Sequence, residues 1–453
     1  MPQPVKRFRV RPSGPLRGEA RVPGDKSIGH RALIFASLAE GESRISGLSG
    51  GLDNLATADA FRAMGIDIQL HGNAARVSGK GLRGLSAPKR PLDCGNSGTT
   101  MRLLSGILVA QRFPSRLIGD ASLTKRPMDR VIQPLRMRGA HLDGSAGAKK
   151  GVLYPPLYIH GLKPGESLRE LVYETPVASA QVKSALLLSG LYADGLTQVI
   201  EPGPSRDHTE RMLTALGVSV ERDGLRVTLD PSKGKLRWRG FDLQVPGDPS
   251  SAAFAVVGAA MVPGSEVTVR GVCVNETRTG FLDVVKAMGL QLDIDEEEGT
   301  NASGERVAAL TTRNGPARAT EIEDEALIVR LIDEIPVLAA LAAVAEGKTR
   351  IRGAAELRVK ESDRIAVMVQ TLRAFGVECE EHPDGMDIVG GRPLRAATVE
   401  SHHDHRIAMT AALLGMIAEG ETIVNDTDCV GTSFPSFVPL FRQLGADIVE
   451  EVV

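Results

Sequence analysis

The sequence predicts an α/β protein made of two domains, each assembled from three copies of one structural repeat. Three observations lead there. A small-residue apolar helix, a Gly turn and a β-branched strand recur along the chain, and each copy is followed by an amphipathic helix that ends in Gly and leads into a strand. The stretch Val22-Pro23-Gly24-Asp25-Lys26-Ser27 returns almost letter for letter as Val245-Pro246-Gly247-Asp248-Pro249-Ser250. Finally, 453 residues are too many for one ordinary core.

Taken in order, the first pattern runs through residues 30–38, a turn at Gly41 and Ser43-Arg44-Ile45. A weaker copy spans 100–118, with Phe113-Pro114 in place of the Gly. The third covers 181–191, Gly195 and Thr197-Gln198-Val199-Ile200, and the fourth covers 250–261, Gly264 and Glu266-Val267-Thr268-Val269. The fifth and sixth turn at Gly347 and Gly420. The second helices close at Gly65, Gly139, Gly217, Gly289, Gly376 and Gly445, each the place for a left-handed C-cap. Repeats of roughly 75 residues fill nearly the whole chain and are far larger than a short solenoid unit. The matching Val-Pro-Gly-Asp stretches pair the first repeat with the fourth. The expected domains are residues 22–241 and residues 242–453 completed by 1–21, with the active site in the cleft between them. Phe8-Arg9-Val10-Arg11 reads as an edge strand rather than a targeting peptide.

Composition narrows the function. A hydrophobic share of 42% and a charged share of 24% are those of a soluble globular protein. A net charge of −2 gives no footprint for nucleic acid or an anionic membrane. With Trp238 the only tryptophan, a base-stacking surface is not expected. Cys94, Cys273, Cys379 and Cys429 are far apart and form no CxxC pair, so they read as free thiols of a cytoplasmic protein. No apolar run is long enough to span a bilayer.

Cations gather at helix starts. Gly24-Asp25-Lys26-Ser27-Ile28-Gly29-His30-Arg31 is a Gly turn into a helix with two cations and a hydroxyl, suited to phosphate or carboxylate and equally readable as a capped helix with surface cations. It is not a Walker loop. Asp93-Cys94-Gly95-Asn96-Ser97-Gly98-Thr99-Thr100-Met101-Arg102 is a second such turn, where Gly98 permits close approach to the backbone. Ser122-Leu123-Thr124-Lys125-Arg126-Pro127 is a basic loop with Pro127 at a first helical position. Ser179-Ala180-Gln181-Val182-Lys183 and Arg206-Asp207-His208 are further junctions. Asp333-Glu334 opens the fifth repeat's first helix, as a cap or as an acceptor of a substrate proton. In Leu357-Arg358-Val359-Lys360-Glu361-Ser362-Asp363-Arg364, a carboxylate lies between cations ahead of an amphipathic helix, which suits proton transfer beside a held anion and also suits an exposed ion-pair cluster. His402-His403-Asp404-His405-Arg406 is too dense to direct every side chain to one metal ion, and no metal site is expected; Arg406 at a helix start matters more. Lys26, Arg31, Arg126, Arg206, Lys360, Arg364 and Arg406 together suggest a substrate with several negative charges. A helix N-terminus adds partial positive charge to each.

These stretches resemble the 5-enolpyruvylshikimate-3-phosphate synthase family along essentially the whole chain. Residues 92–102 and 357–364 are similar to its two signature stretches and residues 22–27 to its N-terminal one. Ser179-Ala180-Gln181-Val182-Lys183-Ser184 and Gly431-Thr432-Ser433-Phe434-Pro435 resemble the bacterial class II branch. The resemblance implies two inside-out α/β domains, each of three βαβαββ repeats with pseudo-threefold symmetry. It implies a monomeric enolpyruvyl transferase, joining phosphoenolpyruvate to the 5-hydroxyl of shikimate 3-phosphate and releasing phosphate, without metal or organic cofactor. By the same resemblance Lys26, Ser27, Arg31, Ser179, Ala180, Gln181, Arg206, Asp333 and Lys360 contact shikimate 3-phosphate. Lys26, Asn96, Gly98, Arg126, Gln181, Arg364 and Arg406 hold phosphoenolpyruvate. Asp333 is the candidate base for the 5-hydroxyl, and Glu361, with Lys26 as competitor, the candidate acid toward C3.

One position departs from the family pattern. Thr432 stands where many members carry a Lys that contacts phosphoenolpyruvate. Gly98 stands where some glyphosate-tolerant members have Ala, which implies ordinary glyphosate sensitivity. Two alternatives share the fold. Enolpyruvyl transfer to UDP-N-acetylglucosamine calls for a Cys in the loop 120–128, and none occurs there. A non-catalytic anion-binding homologue has no need of Asp333, Glu361 and Lys360.

Overall fold

The computed structural model describes residues 5–147, 149–234, 236–297 and 303–453. The chain divides into two compact units. Unit I is Lys26–Val245 together with residues 303–305, and unit II is residues 5–25, 246–297 and 306–453.

Each unit holds three four-stranded sheets among the described residues, all of one design. A parallel pair is followed by two antiparallel partners. In unit I, Asp242–Gln244 lies parallel to Glu40–Ser46, which pairs antiparallel with Ala74–Lys80, and that strand with Asp67–His71. In unit II, Glu321–Ile322, Gly347–Ile351, Gly385–Gly390 and Glu378–His382 repeat the order. The turn glycines do what the spacing predicts: Gly65, Gly139, Gly217, Gly289, Gly376 and Gly445 have φ from +83° to +108°. Only glycine takes that conformation without strain, so each stops a helix and turns the chain back into a strand.

The first helix of every repeat is the buried one. Pro249–Met261 has no exposed residue, and Ile335–Val344 and His405–Gly415 pack on it and on each other. In unit I, Lys26–Leu38 and Ala180–Gly190 both contact Gly98–Leu108. A Cβ on Gly106 would lie 2.1 Å from the Ala185 carbonyl oxygen, so a side chain there would force the last two helices apart. Small residues thus let apolar helices fill the centre while the sheets face water, and this explains why the helices show little amphipathic character. An aromatic cluster closes the core of unit II, with Phe437 4.6 Å from Phe441 and 5.6 Å from Phe434 between ring centroids.

Three expectations are corrected. Residues Lys6–Val10 are not an edge strand: they lie inside a sheet, antiparallel to both Thr422–Asn425 and Ile448–Val452. Phe8 and Val10 alternate inward against the core, and pairing on both sides comes from chain more than 400 residues away, which local alternation cannot reveal. Pro127 precedes the helix Asp129–Met137 by two residues rather than opening it. The domain bounds also shift: residues 22–25 fall in unit II and 242–245 in unit I, as do residues 303–305, tied there by Glu305, which accepts from His208 Nδ1 at 2.7 Å.

Candidate active site

The candidate residues lie in two clusters, one in each unit. In unit I, Lys26 is the first residue of the helix Lys26–Leu38 and meets Asp53 at 3.0 Å. Arg31, one turn on, is buried. Its guanidinium donates to the Ser27 carbonyl at 2.9 Å, Ser184 Oγ at 2.7 Å and Thr209 Oγ1 at 2.6 Å. Ser97 caps the helix Gly98–Leu108 by accepting from the Thr100 N–H, which leaves Asn96 and Gly98 beside the helix N-terminus. Asn96 Oδ1 accepts from Arg126 Nη2 at 2.7 Å while its amide donates to Asp120 at 2.7 Å. Arg126 Nε is buried and makes no hydrogen bond among the described residues. Gln181 bridges Arg102 Nη1 at 2.6 Å and Thr99 Oγ1 at 2.9 Å. Ser179 caps the helix that carries Ala180 and Gln181, and its N–H donates to the buried Glu201 at 2.9 Å. Glu201 also accepts from Ser205, the neighbour of Arg206, and pairs with the buried Lys183 at 2.7 Å. Burial lowers the Lys183 pKa, but Glu210 and Glu201 outweigh it and the ammonium is held above its ordinary value.

In unit II, Asp333 lies just before the helix Ile335–Val344, 3.5 Å from Lys360 Nζ and 3.4 Å from Arg364 Nη1. Arg364 opens the helix Arg364–Ala374 and is 1% exposed. Its other terminal nitrogen donates to Glu361 at 2.6 Å, and Nε to Asp404 at 2.8 Å. Burial opposes the charge on Arg364, yet Asp404, Glu361 and Asp333 together raise its pKa. Burial likewise opposes ionisation of Asp404, and Arg364 overcomes it and keeps the carboxylate below its ordinary range. One guanidinium therefore contacts both Asp333 and Glu361, each through a different terminal nitrogen. Arg406, in the first turn of His405–Gly415, donates through Nη1 to the Asp333 carbonyl at 2.6 Å. Thr432 donates to the Cys429 carbonyl at 2.7 Å and lies 3.5 Å from His405 Nδ1.

The side chain of Glu334, at the N-cap of Ile335–Val344, does not cap that helix, contrary to one of the two sequence readings. It turns instead to Ser250 Oγ and, at 3.5 Å, to Arg406. Arg278 and Glu201 escaped the sequence reading, while Arg102 and Ser250 fell at the ends of motifs it quoted without being given a role. Two groups among the described residues come close enough to hold a metal ion, Asp207–His208–Glu305 and Glu380–His382–Asp387. Both lie in ion-pair networks with arginines or a lysine. His402–Arg406 is not among them. Among the described residues no helix is long and apolar enough to cross a membrane.

Two inside-out α/β units, one lined with hydrogen-bonded cations and the other with acids set among cations, are the equipment of a transferase that handles anions. Comparison with known proteins narrows this. The family model of EPSP synthase (3-phosphoshikimate 1-carboxyvinyltransferase) matches residues 10–441. A 3-phosphoshikimate 1-carboxyvinyltransferase of Geobacter metallireducens is 50% identical, over 98% of this chain and all of its own. One of Alkalilimnicola ehrlichii is 51% identical over 97% of this chain and 95% of its own. The solved EPSP synthase of Acinetobacter baumannii superposes with a TM-score of 0.87 at 42% identity, covering 98% of this chain and 100% of that one. The chain belongs to the EPSP synthase family and is a carboxyvinyltransferase. The reading as a UDP-sugar transferase is set aside.

Proposed function

We propose that this enzyme transfers the enolpyruvyl group of phosphoenolpyruvate to the 5-hydroxyl of shikimate 3-phosphate, with the residue roles that follow. The carrying observation is the pair of carboxyls, Asp333 and Glu361, on two nitrogens of Arg364. Asp333 takes the proton of the 5-hydroxyl as its oxygen bonds to C2, and Glu361 delivers a proton to C3, giving a tetrahedral intermediate. The reverse traffic then breaks the bond from C2 to the phosphate oxygen, removes a proton from C3 and sends phosphate away protonated. Lys26 competes with Glu361 for the C3 step.

Lys26, Ser27, Arg31, Ser179, Ala180, Gln181, Arg206 and Lys360 bind shikimate 3-phosphate in this proposal. Asn96, Gly98, Arg126, Gln181, Arg364 and Arg406 bind phosphoenolpyruvate. The unpartnered Nε of Arg126 supports its part. Arg364 is already engaged with three carboxylates, and Glu361, 22% exposed, is the least buried of the three. Thr432 contributes a hydroxyl where a Lys would add charge. We further propose a cytoplasmic monomer that needs no cofactor, the free thiols supporting the compartment.

Phosphate release from phosphoenolpyruvate, with shikimate 3-phosphate and a UDP-sugar offered in turn, tests the reaction. Release with the first alone is expected, and release with the second alone would overturn the proposal. Glu361→Gln should bind both substrates and lose most turnover. Unchanged turnover removes Glu361 from proton transfer.

A further inference from the structure

We propose that Glu334, backed by Ser250 and Arg278, is a positioning residue for Arg406. The inference rests on the reading that Arg406 binds the carboxylate or phosphate of phosphoenolpyruvate. Glu334 is 1% exposed and forgoes the capping role open to it at the head of its helix. One carboxylate oxygen accepts from Ser250 Oγ and lies 3.5 Å from Arg406 Nη1; the other is buried with no partner among the described residues. A buried carboxylate with one oxygen unpaired is costly to fold, so Glu334 is a poor choice for stability alone.

The chain of contacts continues behind it. Ser250 Oγ accepts from Arg278 Nη2 at 2.7 Å. Arg278 is buried and fastened to Asp25 at 2.9 Å and Asp248 at 3.2 Å, the two aspartates of the repeated Val-Pro-Gly-Asp stretches. Gly24 and Gly247 of these stretches bridge each other, and the Asp25 N–H donates to the Pro246 carbonyl at 2.7 Å, so the base of the relay is rigid. At its other end Arg406 Nη1 is shared between the Asp333 carbonyl and Glu334. With that nitrogen tethered, Nη2 and Nε are left as the free edge of the guanidinium, and among the described residues neither is engaged. A planar fork held at one tine can offer the other two donors to an anion in a fixed direction.

Glu334→Gln keeps the shape and removes the charge that holds the tether, and Ser250→Ala removes the hydroxyl that holds Glu334. Each is expected to raise KM for phosphoenolpyruvate about tenfold while KM for shikimate 3-phosphate stays within about twofold. The double variant should do less than the product of the two, because both act through one guanidinium. A fall in melting temperature with both KM values unchanged, or a lower KM for phosphoenolpyruvate, would overturn the relay. If Glu334→Gln does not fold, Ser250→Ala carries the same test. Arg406→Lys separates the two ideas. A raised KM there, with no change in Ser250→Ala, sinks the relay alone. An unchanged KM in Arg406→Lys sinks the assignment of Arg406 and the relay with it.

Discussion

The second repeat of unit I and the second repeat of unit II put different chemistry on the same frame. In each, a residue two positions before the first helix faces a cation that ends a short 3-10 turn ahead of the second helix. In unit I these are Asn96 and Arg126, 2.7 Å apart. In unit II they are Asp333 and Lys360, 3.5 Å apart. An amide can orient a guanidinium but cannot take a proton at neutral pH, whereas a carboxylate can do both. The same contrast runs beneath each turn. Under Asn96 a neutral chain runs from His30 Nδ1 to Thr57, Thr100 and Ser97, with steps of 2.7, 2.7 and 2.9 Å. Under Asp333 the chain is ionic, through Glu334, Ser250 and Arg278. A duplicated scaffold thus carries an amide at one turn and a carboxylate at the corresponding turn of the other unit.

Exchanging the two chemistries tests that contrast most severely. Asp333→Asn makes unit II resemble unit I. Turnover should fall about a thousandfold, with shikimate 3-phosphate binding retained by calorimetry. Turnover within about tenfold of the parent would end the case for Asp333 as base. The opposite exchange, Asn96→Asp, sets a carboxylate against Arg126 where an incoming anion would compete. KM for phosphoenolpyruvate should rise about thirtyfold in steady-state assays, and an unchanged value would mean that Arg126 does not hold that substrate.

The neutral chain makes its own prediction. Burial holds the His30 imidazole at about 3 against an ordinary 6.5. Between those values only the unfolded chain takes up the proton. The stability His30 contributes is therefore fully present above pH 6.5 and is lost progressively as the pH falls toward 3. Urea unfolding should show about 2 kcal/mol lost between about pH 7 and about pH 5 through this residue. His30→Gln should remove that share of the slope, and an identical slope would contradict a buried neutral imidazole. The smallest effect belongs to Gly98→Ala. An added Cβ would lie 2.8 Å from Arg102 Nη1 and 3.6 Å from Arg126 Nη1, and both are ends of flexible side chains. A rise of about threefold in KM for phosphoenolpyruvate is expected; a larger effect on shikimate 3-phosphate would place Gly98 against the other substrate.

The sixfold repeat was legible because its signals are local. Glycine at a left-handed cap and alanine-rich helices announce themselves within a dozen residues, as at Gly376 and 335–344. The helix Glu325–Leu331, capped by Asp324, lies outside the repeat and was not anticipated. The candidate residues were legible as a set, through the motifs that end in Arg31, Arg102 and Arg364. Their pairing was not, since nothing in residues 357–364 says that Asp404, forty positions on, will bury itself against Arg364. Glu334 was visible as an acid at a helix start, but its refusal to cap depends on a hydroxyl 84 residues away. Such partners become visible only when the repeats are packed.

The strand Lys6–Val10 carries one last consequence. Both of its neighbours, Thr422–Asn425 and Ile448–Val452, lie more than 400 residues further along the chain and are made later. During synthesis it must wait, unpaired, while most of Lys26–Val245 can already assemble from contiguous chain. The sheet therefore closes only when an early strand is sewn between two pieces of much later chain, and bulk added close to Lys6 would obstruct that final stitch.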